Sequence, residues 1–253
     1  MRRPLIVVAL VVGVVSALEA QWGSRYSEER TAQLDARNVR VVRIEARAGG
    51  LRVVGRTGVD EVRVRGTARA NAERWLQDIQ IVAERRGDEV RIVAVIPDLD
   101  WRRSLGNVER ALDLVIELPA GVAVDVSDTS GDVAISGTGD VDVEDSSGNV
   151  RIESVAGDVR VRDGSGEVEI RDVAGNVTVR SDGSGDLNIY DVRRSVLVEE
   201  DGSGDITVRR VGGSFTVRRD GSGGIHSTSV EGTISVPSRY SRSGRRYSMI
   251  RME

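Results

Sequence analysis

Acidic side chains recur in this 253-residue chain at spacings that could do chemistry. Asp128, Asp145, Asp163, Asp182, Asp201 and Asp220 hold equivalent places in successive stretches. Four residues after each come Asp132, Asn149, Glu167, Asp186, Asp205 and Gly224. Two stacked carboxylate columns suit a hard cation such as Ca²⁺, which takes clustered oxygen ligands. The candidates for it are Asp163, Glu167, Asp182, Asp186, Asp201 and Asp205. The favoured expectation is plainer, with no metal: each Asp hydrogen-bonds within its own turn.

Other chemistry is scarce. There is no Cys, hence no disulfide, thiolate metal site or cysteine nucleophile. The single His, His226, falls at an outward strand position without an evident partner. All 36 basic residues are Arg, and 40 acids bring the formal charge to −4. That balance argues against a nucleic-acid binder driven by phosphate neutralisation. No cofactor is expected.

The residues that must position these acids form a tandem repeat. Twelve segments follow the form Gly, small or acidic residue, apolar, any, apolar, with Arg194 in place of Gly in one copy and Ser227 in place of the second apolar residue in another. They begin at Gly131, Gly139, Gly148, Gly157, Gly166, Gly175, Gly185, Arg194, Gly204, Gly213, Gly223 and Gly232. Two connectors alternate. One ends in Ser-Gly and carries Ser147, Ser165, Ser184, Ser203 and Ser222; the other carries Val155, Val173, Val192, Val211 and Val230. Period-2 alternation of Val and Ile reads as short strands buried on one face, with Gly supplying positive φ at the corners. A pair of such strands cannot bury its apolar face alone, so units must stack.

The fold class is therefore all-β: a two-sheet β-solenoid of about six coils over 128–236. Val159, Val177, Val196 and Phe215 should line one wall, and Val168, Leu187, Ile206 and Ile225 the other. A short third face at the Val connector is the alternative. Residues 38–127 alternate without repeating and should form a β-rich N-terminal cap. Their strands are expected at 39–46, 51–56, 62–68, 79–84, 90–96, 112–118 and 122–126, with one short helix in 70–77.

At the N-terminus Arg2 and Arg3 precede an apolar run from Leu5 to Val15, then Ser16, Ala17, Leu18, Glu19 and Ala20. Residues 1–20 read as a signal peptide, since the run is shorter than the ~20 residues that span a bilayer. Residues 21–37 read as a linker, and 237–253 as a basic tail with five Arg against Glu253.

The segment Glu117-Leu-Pro-Ala-Gly-Val-Ala-Val-Asp-Val-Ser-Asp-Thr-Ser-Gly-Asp-Val-Ala-Ile-Ser-Gly137, with the Ser-Gly-Asp-Val and Ala-Gly-Asp-Val units after it, resembles the bacterial putative-adhesin family. The resemblance covers roughly residues 40–236 and implies a β-solenoid with no catalytic residues to carry over. The Asp-Gly-Ser-Gly-Asp string departs from the nine-residue Gly-Gly-x-Gly-x-Asp pattern of calcium-binding β-rolls.

The function expected is a non-enzymatic exported envelope protein, periplasmic or at the cell surface, acting as an adhesin-like structural or binding module. Its partner would be an envelope protein or polysaccharide. The alternatives are an envelope-stress signalling partner, a self-polymerising scaffold and, against the short connectors, a polysaccharide-acting enzyme.

Overall fold

The computed structural model describes residues 26–97 and 108–237. The expected signal peptide and nearly all of the basic tail lie outside the described residues. The chain divides into two compact units, Met1–Gly131 and Asp132–Glu253.

The first unit contains β1 (Tyr26–Asp35), β2 (Val41–Glu45), β3 (Leu51–Arg56), β4 (Glu61–Ala70), β5 (Gln80–Arg86), β6 (Glu89–Val95), β7 (Arg110–Pro119) and β8 (Ala123–Ser127). One sheet runs β1-β4-β7-β3, and the other β5-β6-β2-β8. The pairings β2–β6, β2–β8 and β3–β7 are parallel, whereas β1–β4, β4–β7 and β5–β6 are antiparallel. All seven strands expected in this segment are present. The expected short helix is a 3-10 turn, Glu73–Asp78, with Leu76 buried.

Of the linker expected over 21–37, residues 26–35 are instead strand β1, paired with β4 along its full length, and 21–25 lie outside the described residues. The composition Tyr-Ser-Glu-Glu-Arg-Thr-Ala-Gln-Leu-Asp conceals the alternation because one inward position is an arginine. Arg30, Ala32 and Leu34 all point inward, and Arg30 is only 4% exposed. Its guanidinium donates to the carbonyls of Ile79 (3.0 Å) and Leu76 (2.8 Å) and pairs with Glu28 at 2.9 Å. A buried cation is tolerated only when its donors are met in this way. Arg30 thus ties β1 to the end of the 3-10 turn.

The second unit is a two-sheet β-solenoid of six coils. In chain order its strands are β9 (Val133–Ser136), β10 (Val141–Asp145), β11 (Val150–Val155), β12 (Val159–Asp163), β13 (Val168–Val173), β14 (Val177–Asp182), β15 (Leu187–Val192), β16 (Val196–Ser203), β17 (Ile206–Val211), β18 (Phe215–Ser222), β19 (Ile225–Val230) and β20 (Ile234–Ser235). Each follows one of the twelve repeat starts. Odd strands form one parallel sheet and even strands the other. Coils therefore stack at about 4.8 Å.

The two walls are lined as expected. Val159, Val177, Val196 and Phe215 stand in register, as do Val168, Leu187, Ile206 and Ile225. Phe215 is fully buried and is the largest buried side chain.

The corners use two different devices. At the Ser-Gly corner Gly166 and Gly185 have φ of +137° and +136°. The Gly166 N–H donates to the Ser184 carbonyl at 2.9 Å, and the Gly185 N–H to the Ser203 carbonyl at 3.0 Å. The opposite corner uses glycine for its positive φ in the first coil, at Gly137 (φ +72°), and other residue types after it. There Ser154, Asp172, Asp191, Arg210 and Ser229 adopt φ of 55–58°. This left-handed residue turns the chain so that the next side chain, Val155, Val173, Val192 or Val211, is buried. The Val column ends the odd strands instead of forming a third face.

Repeat length also has a structural cause. Between β12 and β14 the register shifts after Val161, so that Arg162 pairs with Ser181 and Asp163 with Asp182. The bulge absorbs the residue that lengthens the later coils, and it keeps the aspartate facing inward.

Candidate functional site

The two acidic columns do not converge. Asp163, Asp182 and Asp201 are buried at 2–3% exposure, whereas Glu167, Asp186 and Asp205 are exposed. Among the described residues no group of three or more His, Asp or Glu side chains is placed to hold a metal ion.

The exposed column works between coils, not within its own turn. The Asn149 N–H donates to Asp132 Oδ1 at 3.0 Å, the Glu167 N–H to Asn149 Oδ1 at 3.0 Å, and the Asp205 N–H to Asp186 Oδ1 at 3.0 Å. Gly224 N–H donates to Asp205 Oδ1 at 2.7 Å. The opposite corner repeats the device. Asp140 accepts from the Asp158 N–H and Asp158 from the Asn176 N–H, both at 2.8 Å, and Ser195 Oγ accepts from the Ser214 N–H at 3.0 Å. The small or acidic residue at the second repeat position is thus, in most coils, a short acceptor for the next coil's backbone; Glu167 instead accepts from the Asn188 side-chain amide at 2.9 Å. The Asn176 N–H holds Asp158 below the usual carboxylate range, as expected when a donor favours the ionised form.

The buried column behaves in the opposite way. Asp145 pairs in register with Asp163, Asp163 with Asp182, and Asp182 with Asp201. Neither carboxylate oxygen of Asp145, Asp163 or Asp182 has a hydrogen-bond partner. Backbone N–H groups of Ser146, Ser147 and Gly164 lie near enough to pull Asp145 and Asp163 downward, though outside hydrogen-bonding geometry. Burial dominates all the same. It raises Asp145, and with the neighbouring aspartates it raises Asp163 to about 6 and Asp182 to about 8. Asp182 has no donor of its own turn acting on it, whereas the N–H groups near Asp145 and Asp163 belong to their own turns, so the own-turn expectation holds there in part.

The outward faces carry ion pairs between coils: Arg218 with Glu199 at 2.9 Å, Arg219 with Glu200 at 2.8 Å and Arg180 with Asp142 at 3.4 Å. Exposed pairs of this kind contribute little each, about 0–1 kcal/mol. His226 is exposed beside Thr207.

One cluster stands apart. Arg171, Tyr190 and Arg209 face outward in register on β13, β15 and β17. The two guanidinium carbons lie 5.8 and 5.9 Å from the Tyr190 ring centroid, and the Tyr190 hydroxyl donates to Asn188 Oδ1 at 3.0 Å. Arg171 pairs with Glu169, and Arg210 with Asp191 at 2.6 Å. Arg209 has no carboxylate within 4 Å among the described residues. These side chains line a depression of about 220 Å³. Stacking on an aromatic ring orients a guanidinium while leaving its N–H edge free for an oxyanion. The cluster was missed in the sequence, where equal steps of 19 residues from Arg171 to Tyr190 to Arg209 mark it.

No family model matches the chain, and no curated protein does. Solved structures similar to it include a putative adhesin from Bacteroides fragilis, at 18% identity and a TM-score of 0.49, covering 83% of this chain and 97% of that one. Another is a putative cell adhesion protein from Clostridium sporogenes, at 13% identity and a TM-score of 0.41, covering 83% of this chain and all of that one. At such identities the function has to be read from the chain's own side chains.

Proposed function

We propose that the chain is an exported, non-enzymatic, adhesin-like envelope module that binds an acidic polysaccharide through the Arg171–Tyr190–Arg209 cluster. The carrying observation is Arg209: a guanidinium held against Tyr190, exposed and, among the described residues, unmatched by any carboxylate. Arg210 is matched by Asp191, and Arg171 shares Glu169 with Arg151, so the depression keeps at least one cationic charge in excess. A uronate carboxylate fits this edge, because a guanidinium presents paired donors to a planar oxyanion.

Export is supported by the Arg2-Arg3 pair and the short apolar run behind it. Among the described residues no helix is long and apolar enough to cross a membrane. Residues 38–127 serve in this reading as the N-terminal cap that solenoids require.

The test is retention on immobilised polygalacturonate against a neutral glucan. The native protein should be held on the acidic polymer and released by salt, and R209Q should lose most of that retention. Equal retention on both polymers would refute the assignment.

A further inference from the structure

A carboxylate can enter an apolar interior only if it is paired, hydrogen-bonded or neutralised. Two members of the buried aspartate column, Asp163 and Asp182, have no such pairing among the described residues. Asp163 and Asp182 are each only 2% exposed, neighbouring coils bring them into register at about 4.8 Å, and none of their four carboxylate oxygens meets a donor.

The strongest charged neighbours are themselves acids. Asp132 acts on Asp145, Asp145 on Asp163, and Asp163 with Asp201 on Asp182. Asp220 continues the register beyond Asp201. The chain neighbours Glu144 and Arg162 are exposed and Ser181 half-buried, so no basic side chain of these strands is buried beside the column. The opposite wall is Val, Leu and Ile. Metal ions do not fit either, since the acids that might complete a coordination shell face outward.

We propose that the aspartate column is a proton-binding file: carboxyls of successive coils share protons, carboxylic acid donating to carboxylate, and the solenoid is consequently tightened by acid and loosened by alkali. Two like carboxyls at this spacing cannot both ionise without large cost, and one shared proton turns the repulsion into a charge-assisted hydrogen bond. The bulge in β14 supports the reading, because it restores the inward register of Asp182 where the added residue would have turned it out.

The direction of the pH effect follows. A carboxyl whose folded pKa lies above its unfolded value of 3.8 binds its proton more tightly in the fold, so folding takes up protons. The stabilisation is full below about pH 4 and is lost as the pH passes the folded values of about 6 and 8.

Urea unfolding of the full chain between pH 5 and pH 9 tests this. The native midpoint should fall steadily with pH, while an Asp163→Asn/Asp182→Asn variant should be nearly flat and exceed the native midpoint at pH 9. A native midpoint independent of pH, or an equal slope in the variant, would overturn the proposal. So would recovery of the native midpoint at pH 9 on adding millimolar Ca²⁺, which would make the column a cation site. A ¹³C titration of the native aspartate Cγ carbons needs no variant. At least one resonance should titrate above pH 6, and a set that all titrate below pH 5 would overturn the idea.

Discussion

Replacing Gly185 by Ala should be among the most damaging single-methyl changes available to the solenoid. Two costs add. At φ +136° a residue with a Cβ is strained by about 1–3 kcal/mol. The new Cβ would also lie 1.8 Å from the Gly166 carbonyl oxygen and 2.5 Å from its carbon, so the two coils must part by more than 1 Å. The bonds that join these two coils at the corner, Gly166 N–H to Ser184 and Val168 N–H to Asp186, at 2.9 and 3.0 Å, cannot stretch that far, and each is worth about 1 kcal/mol net. The sum is about 3–5 kcal/mol. Gly58→Ala is the matched control: φ is +76° there, but nothing lies within 4 Å, so only about 1–2 kcal/mol of backbone strain is expected. Urea unfolding of both variants at one pH measures the difference. Costs within about 1 kcal/mol of each other would show that coil contact does not govern the corner, and would refute the reasoning.

Other substitutions probe separate contacts. Phe215→Ala empties the widest side chain of the interior and should cost about 3–5 kcal/mol by urea unfolding, with Phe215→Leu markedly milder. Arg30→Met leaves the Leu76 and Ile79 carbonyls without their donors and should cost about 2–4 kcal/mol; amide exchange across 26–35 should rise with it. Ser195→Ala strips the acceptor from the Ser214 N–H and should cost about 1 kcal/mol. In Ser195→Asn an acceptor is retained, and most of that loss should be recovered in the same assay.

The solenoid was legible because Val and Ile at every second position, restarted by Gly, leave one parity for each strand. The same parity places Val159, Val161 and Asp163 on one face, so the inward aspartates could have been read from it. The Gly-Ser-Gly that follows these aspartates reads as a turn and masks the inward parity. In β14 the parity itself breaks, Val177 and Val179 being followed by Asp182, and only the register with β12 shows the bulge. Strand β1 escaped because an inward arginine looks like a polar linker until its carbonyl partners are known. The Tyr190 cluster depends on pairing across coils, which local alternation does not reveal.

The binding face is tested most directly by calorimetric titration of the native protein with oligogalacturonate, beside R209Q and a charge control in the other unit, R52Q. Saturable binding that R209Q weakens about tenfold or more and R52Q leaves intact is the result expected. Equal binding by all three proteins, or none by the native one, would contradict it.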